Sequence, residues 1–170
     1  MYFSGKSLDL SRPQIMGILN TTPDSFYDGG NLYKNGKVDL SLALYRAEEM
    51  VQGGAAILDI GGESTRPGAD PVSSKEEIDR VAPVIESIAS SLDVIISIDT
   101  SKAKVIEAAV CAGASMINDV RALREPGALD VAAELDVPIC LMHMQGTPQN
   151  MQSSPQYKSV TSEVTDFIED

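Results

Sequence analysis

Five short apolar segments alternate strictly with segments of helical periodicity along this chain of 170 residues. The apolar segments are residues 14–19, 55–60, 93–98, 115–117 and 137–142. Each is followed by a polar loop and then by a stretch whose apolar residues recur every three or four positions. This alternation predicts a parallel sheet covered by helices. Because the segments are almost wholly apolar, we expect strands buried on both faces.

Local signals indicate where the helices begin. Ser73 and Ser74 each stand three residues before a glutamate, Glu76 and Glu77, which is the spacing of a capping box at the start of the second helix. Thr100 or Ser101 can cap the third helix. Pro126 is placed to open the fourth, because proline is favoured in a first helical turn.

Two architectures fit this alternation, an open doubly wound sheet and part of a (β/α)8 TIM barrel. No GxGxxG motif follows the first strand, which weakens the dinucleotide-binding form of the open sheet. Polar residues stand at the ends of successive strands, namely Asn20, the loop 61–66, Asp99, Asn118 and His143. A barrel brings these ends together on one face, whereas an open sheet spreads them across its width. The pattern therefore favours the barrel, of which this chain holds about five βα units.

The length of the chain is short for a complete barrel. Eight βα units take roughly 250 residues, and five units alone expose a sheet edge. We therefore expect residues 1–170 to form a single barrel domain that is truncated at its carboxyl end. The last units could be lost, or a second chain could supply them.

The composition narrows the classes of partner. A net charge of −12 with no basic run argues against nucleic acid and anionic membranes as partners. No signal-peptide pattern opens the sequence and no apolar run approaches the ~18 residues of a membrane span, so a cytoplasmic location is expected. Cys111 and Cys140 are predicted to be buried thiols, and the single His143 excludes a site of several histidines within this chain.

The residues at the strand ends suggest a ligand. Asp99 and Asn118 offer an acceptor-only carboxylate and a mixed donor and acceptor amide, which could read the edge of a flat heterocycle. The alternative is that Asp99 caps a helix and Asn118 satisfies a turn. Asn20 could join a Mg²⁺ shell otherwise filled by water and phosphate oxygens, or it could be an ordinary turn asparagine. Arg66 is the only cation in its loop and suits a phosphate or a carboxylate.

Three apolar residues could complete a pocket for an aromatic ligand. Phe26 and Pro67 lie in glycine-flanked loops and could close over a ring. Met142 could form an apolar wall, because methionine packs well on flat rings. His143 has no nucleophile pattern beside it, so we interpret it as structural and not as a base.

A resemblance to a known family rests on several of these stretches. They are Met16–Phe26, Asp28–Gly30, Asp59–Gly68, Ser97–Thr100, Ile117–Asp119 and Cys140–Met144. In order and in residue type these segments are similar to those of the dihydropteroate synthases. The chain resembles an amino-terminal portion of that family from about residue 8 to its last residue.

The resemblance implies a (β/α)8 barrel enzyme of folate biosynthesis. It would be a transferase that condenses 6-hydroxymethyl-7,8-dihydropterin diphosphate with p-aminobenzoate and releases pyrophosphate. The family is the target of sulfonamides, uses Mg²⁺ and is commonly a homodimer. Small-molecule substrates are therefore the expected partners.

The family's residue roles map onto matching positions here. For the pterin side, Asn20 would bind Mg²⁺ on the diphosphate, while Asp99 and Asn118 would hold the ring with Met142 beside it. The resemblance further implies that the two glycine-containing loops meet the other groups.

In those loops, Thr65 and Arg66 would contact the diphosphate and p-aminobenzoate. Phe26 and Pro67 would frame the p-aminobenzoate pocket. Thr65, Arg66 and Asp99 are the residues expected to take part in catalysis. The later strands of the family normally add another aspartate, a lysine and an arginine–histidine pair, none of which this chain contains.

Two alternatives stay open at this point. Methyltetrahydrofolate-type methyltransferases share a pterin-binding barrel, but they do not use the TTPDSF and GGESTRPG loops because they expel no diphosphate. The chain could also be a non-catalytic fragment of a dihydropteroate synthase.

Overall fold

The computed structural model describes residues 1–22, 32–34, 37–64 and 71–170. Its strands are β1 (Tyr2–Phe3), β2 (Lys6–Ser7), β3 (Ile15–Asn20), β4 (Tyr33–Lys34), β5 (Lys37–Val38), β6 (Ala55–Gly61), β7 (Ile95–Asp99), β8 (Met116–Asp119) and β9 (Ile139–Leu141). Its helices are α1 (Leu40–Gln52), α2 (Ser74–Ser91), α3 (Ala103–Ala112), α4 (Ala128–Leu135) and α5 (Val160–Glu169).

The central sheet follows the order of the chain. Its five strands lie in the order β3-β6-β7-β8-β9, and every neighbouring pair is parallel. A doubly wound open sheet reverses its strand order at a switch point, and no reversal occurs among these five strands. Successive βα units that always add to the same side are the pattern of a barrel.

The two faces of the sheet have different neighbours. One face packs against the helices through side chains that are fully buried, including Leu19, Ile60, Ile98 and Ile117. The opposite face carries a smaller apolar cluster. This cluster consists of Ile57, Ile95 and Met116 together with Phe3 of the β1–β2 hairpin.

The hairpin therefore covers the amino-terminal end of the inner face. Lys6 anchors it, because its Nζ donates to the Val94 carbonyl at 2.8 Å and lies 3.0 Å from an Asp93 carboxylate oxygen. With this end occupied by apolar side chains, the opposite end of the strands is the one that can receive a ligand.

The helix starts only partly follow the sequence signals. Ser73 does cap α2, since its hydroxyl accepts from the backbone N–H of Glu76 at 3.2 Å. The prediction that Thr100 or Ser101 caps α3 is wrong, because the cap residue is Lys102 and it makes no side-chain capping bond. Pro126 also lies outside its helix, because Gly127 in the left-handed region (φ 77°) turns the chain before Ala128 begins α4.

Some apolar side chains that were expected to be buried are exposed. Ile15 and Ile18 of β3 are 58% and 56% exposed, because β3 has a neighbouring strand on one side only in the described part of the sheet. Cys140 lies on the other edge strand, β9, and is exposed as well. Cys111 is exposed on the outer side of α3. The prediction of two buried thiols is therefore wrong.

None of the helices in the described ranges is both long and apolar enough to cross a membrane.

Candidate functional site

One row of residues crosses the sheet at the carboxyl ends of its strands. Asn20 pairs with Gly61, Gly61 with Asp99, Asp99 with Asn118, and Asn118 with Cys140. Residues in register on parallel strands project from the same face. The structure therefore brings together three of the predicted site residues, Asn20, Asp99 and Asn118, as sequence reasoning expected.

Gly61 in the middle of this row allows the side chains beside it to approach each other. A Cβ atom added to Gly61 would lie 3.4 Å from Asn20 Oδ1 and 3.6 Å from Asp99 Oδ2. Because Gly61 has no side chain, a small space remains open there, and it is bordered by the Asn20 amide oxygen and an Asp99 carboxylate oxygen.

A second polar row lies one step deeper on the same face. Asp59 pairs with Ser97, and these residues are 4% and 0% exposed. Asn118 Nδ2 donates to Asp59 Oδ2 at 3.0 Å. Because a carboxylate only accepts, this bond fixes the orientation of the Asn118 amide, which still offers a second N–H and its oxygen.

Two atoms of the deeper row have no hydrogen-bond partner within the described parts of the chain, namely Asp59 Oδ1 and Ser97 Oγ. Buried polar atoms usually have partners, so this pair marks a place for a water molecule or a ligand atom. Sequence reasoning did not single out Asp59. The feature that could have revealed Asp59 is its position inside an otherwise apolar strand, because burying a carboxylate without a partner is costly.

The pKa of Asp99 is raised to about 7, first by its burial and then by the neighbouring carboxylates of Asp59, Asp119, Glu77 and Glu63. Near neutral pH its side chain therefore exists both as an acceptor and as a donor. A ligand that donates N–H groups to Asp99 favours the ionised form, and binding such a ligand releases a proton.

This raised pKa makes the stability of the fold depend on pH. Between about pH 4 and pH 7 the native state binds more protons than the unfolded chain, so its free energy of unfolding should fall as the pH rises. Asp99→Asn removes the ionisable group. At pH 8 it should be more stable than the parent by on the order of 3 kcal/mol, and at pH 4 the two should differ little.

Urea unfolding at several pH values measures this difference. Asp130→Asn is the matched control, because Asp130 is exposed on the first turn of α4. A constant difference between Asp99→Asn and the parent across this pH range would contradict the prediction.

A cavity of about 90 Å³ adjoins Asp99. Its walls include Glu63, Ser101 and Gln149, and Arg121 brings a positive charge to it. Sequence reasoning did not select Arg121 or Gln149, because neither belongs to a strand end. Only the folded loops after β8 and β9 place them beside Asp99.

Met142 and His143, the two residues after β9, make different kinds of contact. The Met142 N–H donates to the Asp119 carbonyl at 3.1 Å, which extends the strand pairing past Asn118. The His143 ring stands edge-on to Phe167 of α5, with 4.7 Å between ring centroids. The Arg124 guanidinium carbon also lies over the Phe167 ring, 4.2 Å from its centroid. These packing contacts agree with the interpretation of His143 as structural.

The predicted residues of the two glycine-containing loops lie outside the described residues. These are Phe26, Thr65, Arg66 and Pro67. Their roles therefore stay predictions.

The described residues contain no group of three or more His, Cys, Asp or Glu side chains that could hold a metal ion. Asn20 and Asp99 do present oxygen atoms on either side of Gly61. Mg²⁺ prefers oxygen ligands and commonly takes most of them from substrate phosphates and water. The Asn20 oxygen is thus of the type that could serve as one ligand of a magnesium ion shared with a phosphorylated substrate.

Comparison with known proteins identifies the class. The family model of pterin-binding enzymes matches residues 16–170. The chain therefore belongs to the pterin-binding enzymes.

Individual relatives are more specific. The chain is 51% identical over 169 residues to the dihydropteroate synthase of Haemophilus influenzae, covering 99% of this chain and 60% of that protein. It superposes on the Yersinia pestis dihydropteroate synthase in a sulfonamide drug complex with a TM-score of 0.90 and 54% identity, over 99% of this chain and 60% of that one. The superposition on the Xanthomonas albilineans dihydropteroate synthase with 4-aminobenzoic acid has a TM-score of 0.80 and 48% sequence identity, over 98% of this chain and 56% of that one.

These likenesses confirm the predicted fold class, five βα units of a (β/α)8 barrel. They also set its extent, since the chain spans about 60% of the length of the curated relative from Haemophilus influenzae.

Proposed function

We propose that the protein to which this chain belongs is a dihydropteroate synthase. It would join 6-hydroxymethyl-7,8-dihydropterin diphosphate to p-aminobenzoate and release pyrophosphate. The observation that carries the proposal is the row of Asn20, Gly61, Asp99 and Asn118 across the carboxyl ends of the strands. Relatives that share about half of this sequence and carry that name support it.

The chemistry of the row suits the flat edge of a pterin. Ionised Asp99 accepts two N–H groups from the amino-pyrimidinone part of the ring. Asn118, oriented by its bond to Asp59, offers an N–H to a ring acceptor and its oxygen to a ring donor. Met142, the residue directly after β9, would pack against the ring.

The proposed reaction requires that the charge of the departing pyrophosphate be neutralised and that positive charge on the pterin methylene carbon be stabilised. Asp99 and Asn118 hold the electron-rich pterin, which stabilises positive charge at its exocyclic methylene carbon as pyrophosphate departs. Asn20 would hold Mg²⁺, which supplies positive charge to the departing pyrophosphate. Thr65 and Arg66 are proposed to contact the diphosphate and p-aminobenzoate, with Phe26 and Pro67 around the latter. The arylamine is already nucleophilic, so no strong general base is required.

The test of this function is product formation by the full-length protein. With Mg²⁺, the diphosphate substrate and p-aminobenzoate, we expect stoichiometric pyrophosphate and dihydropteroate. The 170-residue chain alone should turn over negligibly, because the family's later strands add further pterin and diphosphate contacts. Pyrophosphate release is measured by a coupled assay and dihydropteroate by mass spectrometry. If the full-length protein releases no pyrophosphate from these substrates, the proposal fails.

Two further features are proposed for the full-length protein, namely a cytoplasmic location and assembly as a homodimer. A methyltetrahydrofolate-type methyltransferase would share the pterin row but not the TTPDSF and GGESTRPG loops. A non-catalytic role for the chain by itself is compatible with its 60% coverage of the relative from Haemophilus influenzae. Turnover assays on the chain and the full-length protein separate these alternatives.

A further inference from the structure

The loop that follows β6 is held at its base by Glu63. One oxygen of this carboxylate, Oε1, accepts the backbone N–H of Val72 at 2.9 Å. Residues 64–71 separate these two positions, so a single side chain ties together the polypeptide on both sides of that segment. Glu63 therefore joins the two described stretches that flank residues 65–70.

Glu63 is in turn held by Lys102. The Lys102 Nζ atom lies 3.0 Å from Glu63 Oε2 and 2.6 Å from Glu77 Oε2. Lys102 follows β7 and stands three residues after Asp99, whereas Glu77 belongs to α2. We call Glu63, Glu77 and Lys102 the loop clamp. The clamp joins three successive elements of the barrel at the strand ends.

The chain between β6 and the clamp has little freedom. Arg80 Nη1 donates to the Gly62 carbonyl at 2.8 Å. A Cβ atom on Gly62 would lie 2.7 Å from Val81 Cγ1 and 2.9 Å from Glu77 Cγ, so only glycine fits against α2 here. The end of β6 is thus packed onto α2, and the clamp extends this fixed region by one residue to Glu63.

The two carboxylates of the loop clamp explain why the residue between them, Lys102, is a cation. The Glu77 side chain is 1% exposed, and a buried carboxylate needs a partner. Burial acts to lower the pKa of Lys102, but the hydrogen bonds that it donates to Glu77 and Glu63, together with their negative charges, outweigh burial and raise the pKa above its usual value. Lys102 therefore stays charged. Its charge offsets two of the carboxylates that line the cavity beside Asp99, where the proposed substrate is an anion.

We propose that Lys102 is a positioning residue for the p-aminobenzoate half of the reaction, acting through Glu63. It fixes the base of the loop after β6 relative to Asp99 at the end of β7, so that the two substrates are held in register. This inference rests on the proposed function. In it, Lys102 acts through Glu63 and the loop, and not through a contact of its own with substrate.

The physical part of the proposal is tested on the 170-residue chain by amide hydrogen exchange at Val72. Glu63→Ala removes the acceptor of the Val72 N–H while leaving the Lys102–Glu77 pair in place. Exchange at Val72 should accelerate at least about tenfold in Glu63→Ala and also in Lys102→Met. Lys75→Met is the matched control, because the Lys75 side chain is 87% exposed in a surface pair with Asp79. Unchanged exchange at Val72 in Glu63→Ala would overturn the clamp.

The functional part is tested by kinetics of the full-length enzyme. In Glu63→Ala and Lys102→Met, the KM for p-aminobenzoate should rise about tenfold, because misplacement of a substrate-contacting loop weakens binding. The dissociation constant for the pterin should change less than about twofold, because Asp99 and Asn118 are untouched. Lys102→Arg, which keeps the charge, should restore most of the p-aminobenzoate KM.

The outcomes separate the two proposals. A merely structural role would lower the amount of active enzyme and leave both constants unchanged, and that result overturns the positioning role. An equal loss for both substrates overturns it as well. Glu63→Ala covers the case in which Lys102→Met does not fold. If the full-length protein forms no dihydropteroate at all, the proposed function fails while the hydrogen-exchange result still decides whether the clamp exists.

Discussion

Asp99→Ala is expected to weaken the binding of a pterin to this chain at least about 100-fold. The carboxylate sits between Gly61 and Asn118 in the row at the strand ends, and it is the acceptor for two ring N–H groups in the proposed complex. Two charge-assisted hydrogen bonds contribute roughly 3 kcal/mol together, which corresponds to a factor of about 100 or more. Isothermal titration calorimetry with 6-hydroxymethylpterin measures the loss.

The control for this experiment is Asp93→Ala, which removes an exposed carboxylate near the opposite end of β7. Its pterin affinity should equal that of the parent chain. Thermal unfolding of both variants checks that the fold persists. Undiminished binding by folded Asp99→Ala would show that the row does not hold the ring. A parent chain that binds no pterin would show that the half-barrel does not form this part of the site by itself.

The second large effect is expected from Asp119→Ala, which should lower the free energy of unfolding by about 3–5 kcal/mol. Asp119 is fully buried and accepts the backbone N–H groups of Arg121 at 2.8 Å and Leu123 at 2.7 Å. The Ser101 hydroxyl donates to it as well. Without the carboxylate, buried donors lose their partner.

The backbone after β8 adds to this effect. Ala122 and Leu123 both have positive φ, 53° and 58°, which costs on the order of 1 kcal/mol for each non-glycine residue. The bonds to Asp119 hold this strained turn, and the turn places Arg121 at the cavity beside Asp99. Asp119→Ala should therefore also disturb the site.

Urea unfolding of the parent and the variant provides the measurement. Asp130→Ala serves as the comparison, because Asp130 is exposed on the first turn of α4. A loss below about 1 kcal/mol for Asp119→Ala would indicate that water replaces the carboxylate, contrary to the prediction.

Much of the site could be predicted because its residues stand at positions that a short sequence window reveals. Asn20, Asp99 and Asn118 each follow an apolar strand, and parallel strands in chain order necessarily bring those positions to one edge. Ser73 likewise caps α2 through a contact that spans three residues. Periodicity and local spacing are sufficient for such features.

Contacts between distant residues were not accessible in the same way. The Asp59–Asn118 hydrogen bond joins residues that are 59 positions apart, and the Lys102–Glu77 bond spans 25 positions. Sequence reasoning did not single out Lys102, yet it is the cap residue of α3 and pairs with two carboxylates. The sequence around a lysine does not indicate which carboxylates it will pair with in the folded chain.

The alternation of apolar and amphipathic segments by itself determined the class of fold and the row at the strand ends, because the period of the side chains dictates which faces can be buried. The tertiary structure alone decided how that row is supported. It placed Asp59 under Asn118, Asp119 inside the turn after β8, and Lys102 between Glu63 and Glu77. The physical reason is that burial and charge pairing depend on which neighbours fill the space around a group, and those neighbours come from remote parts of the chain.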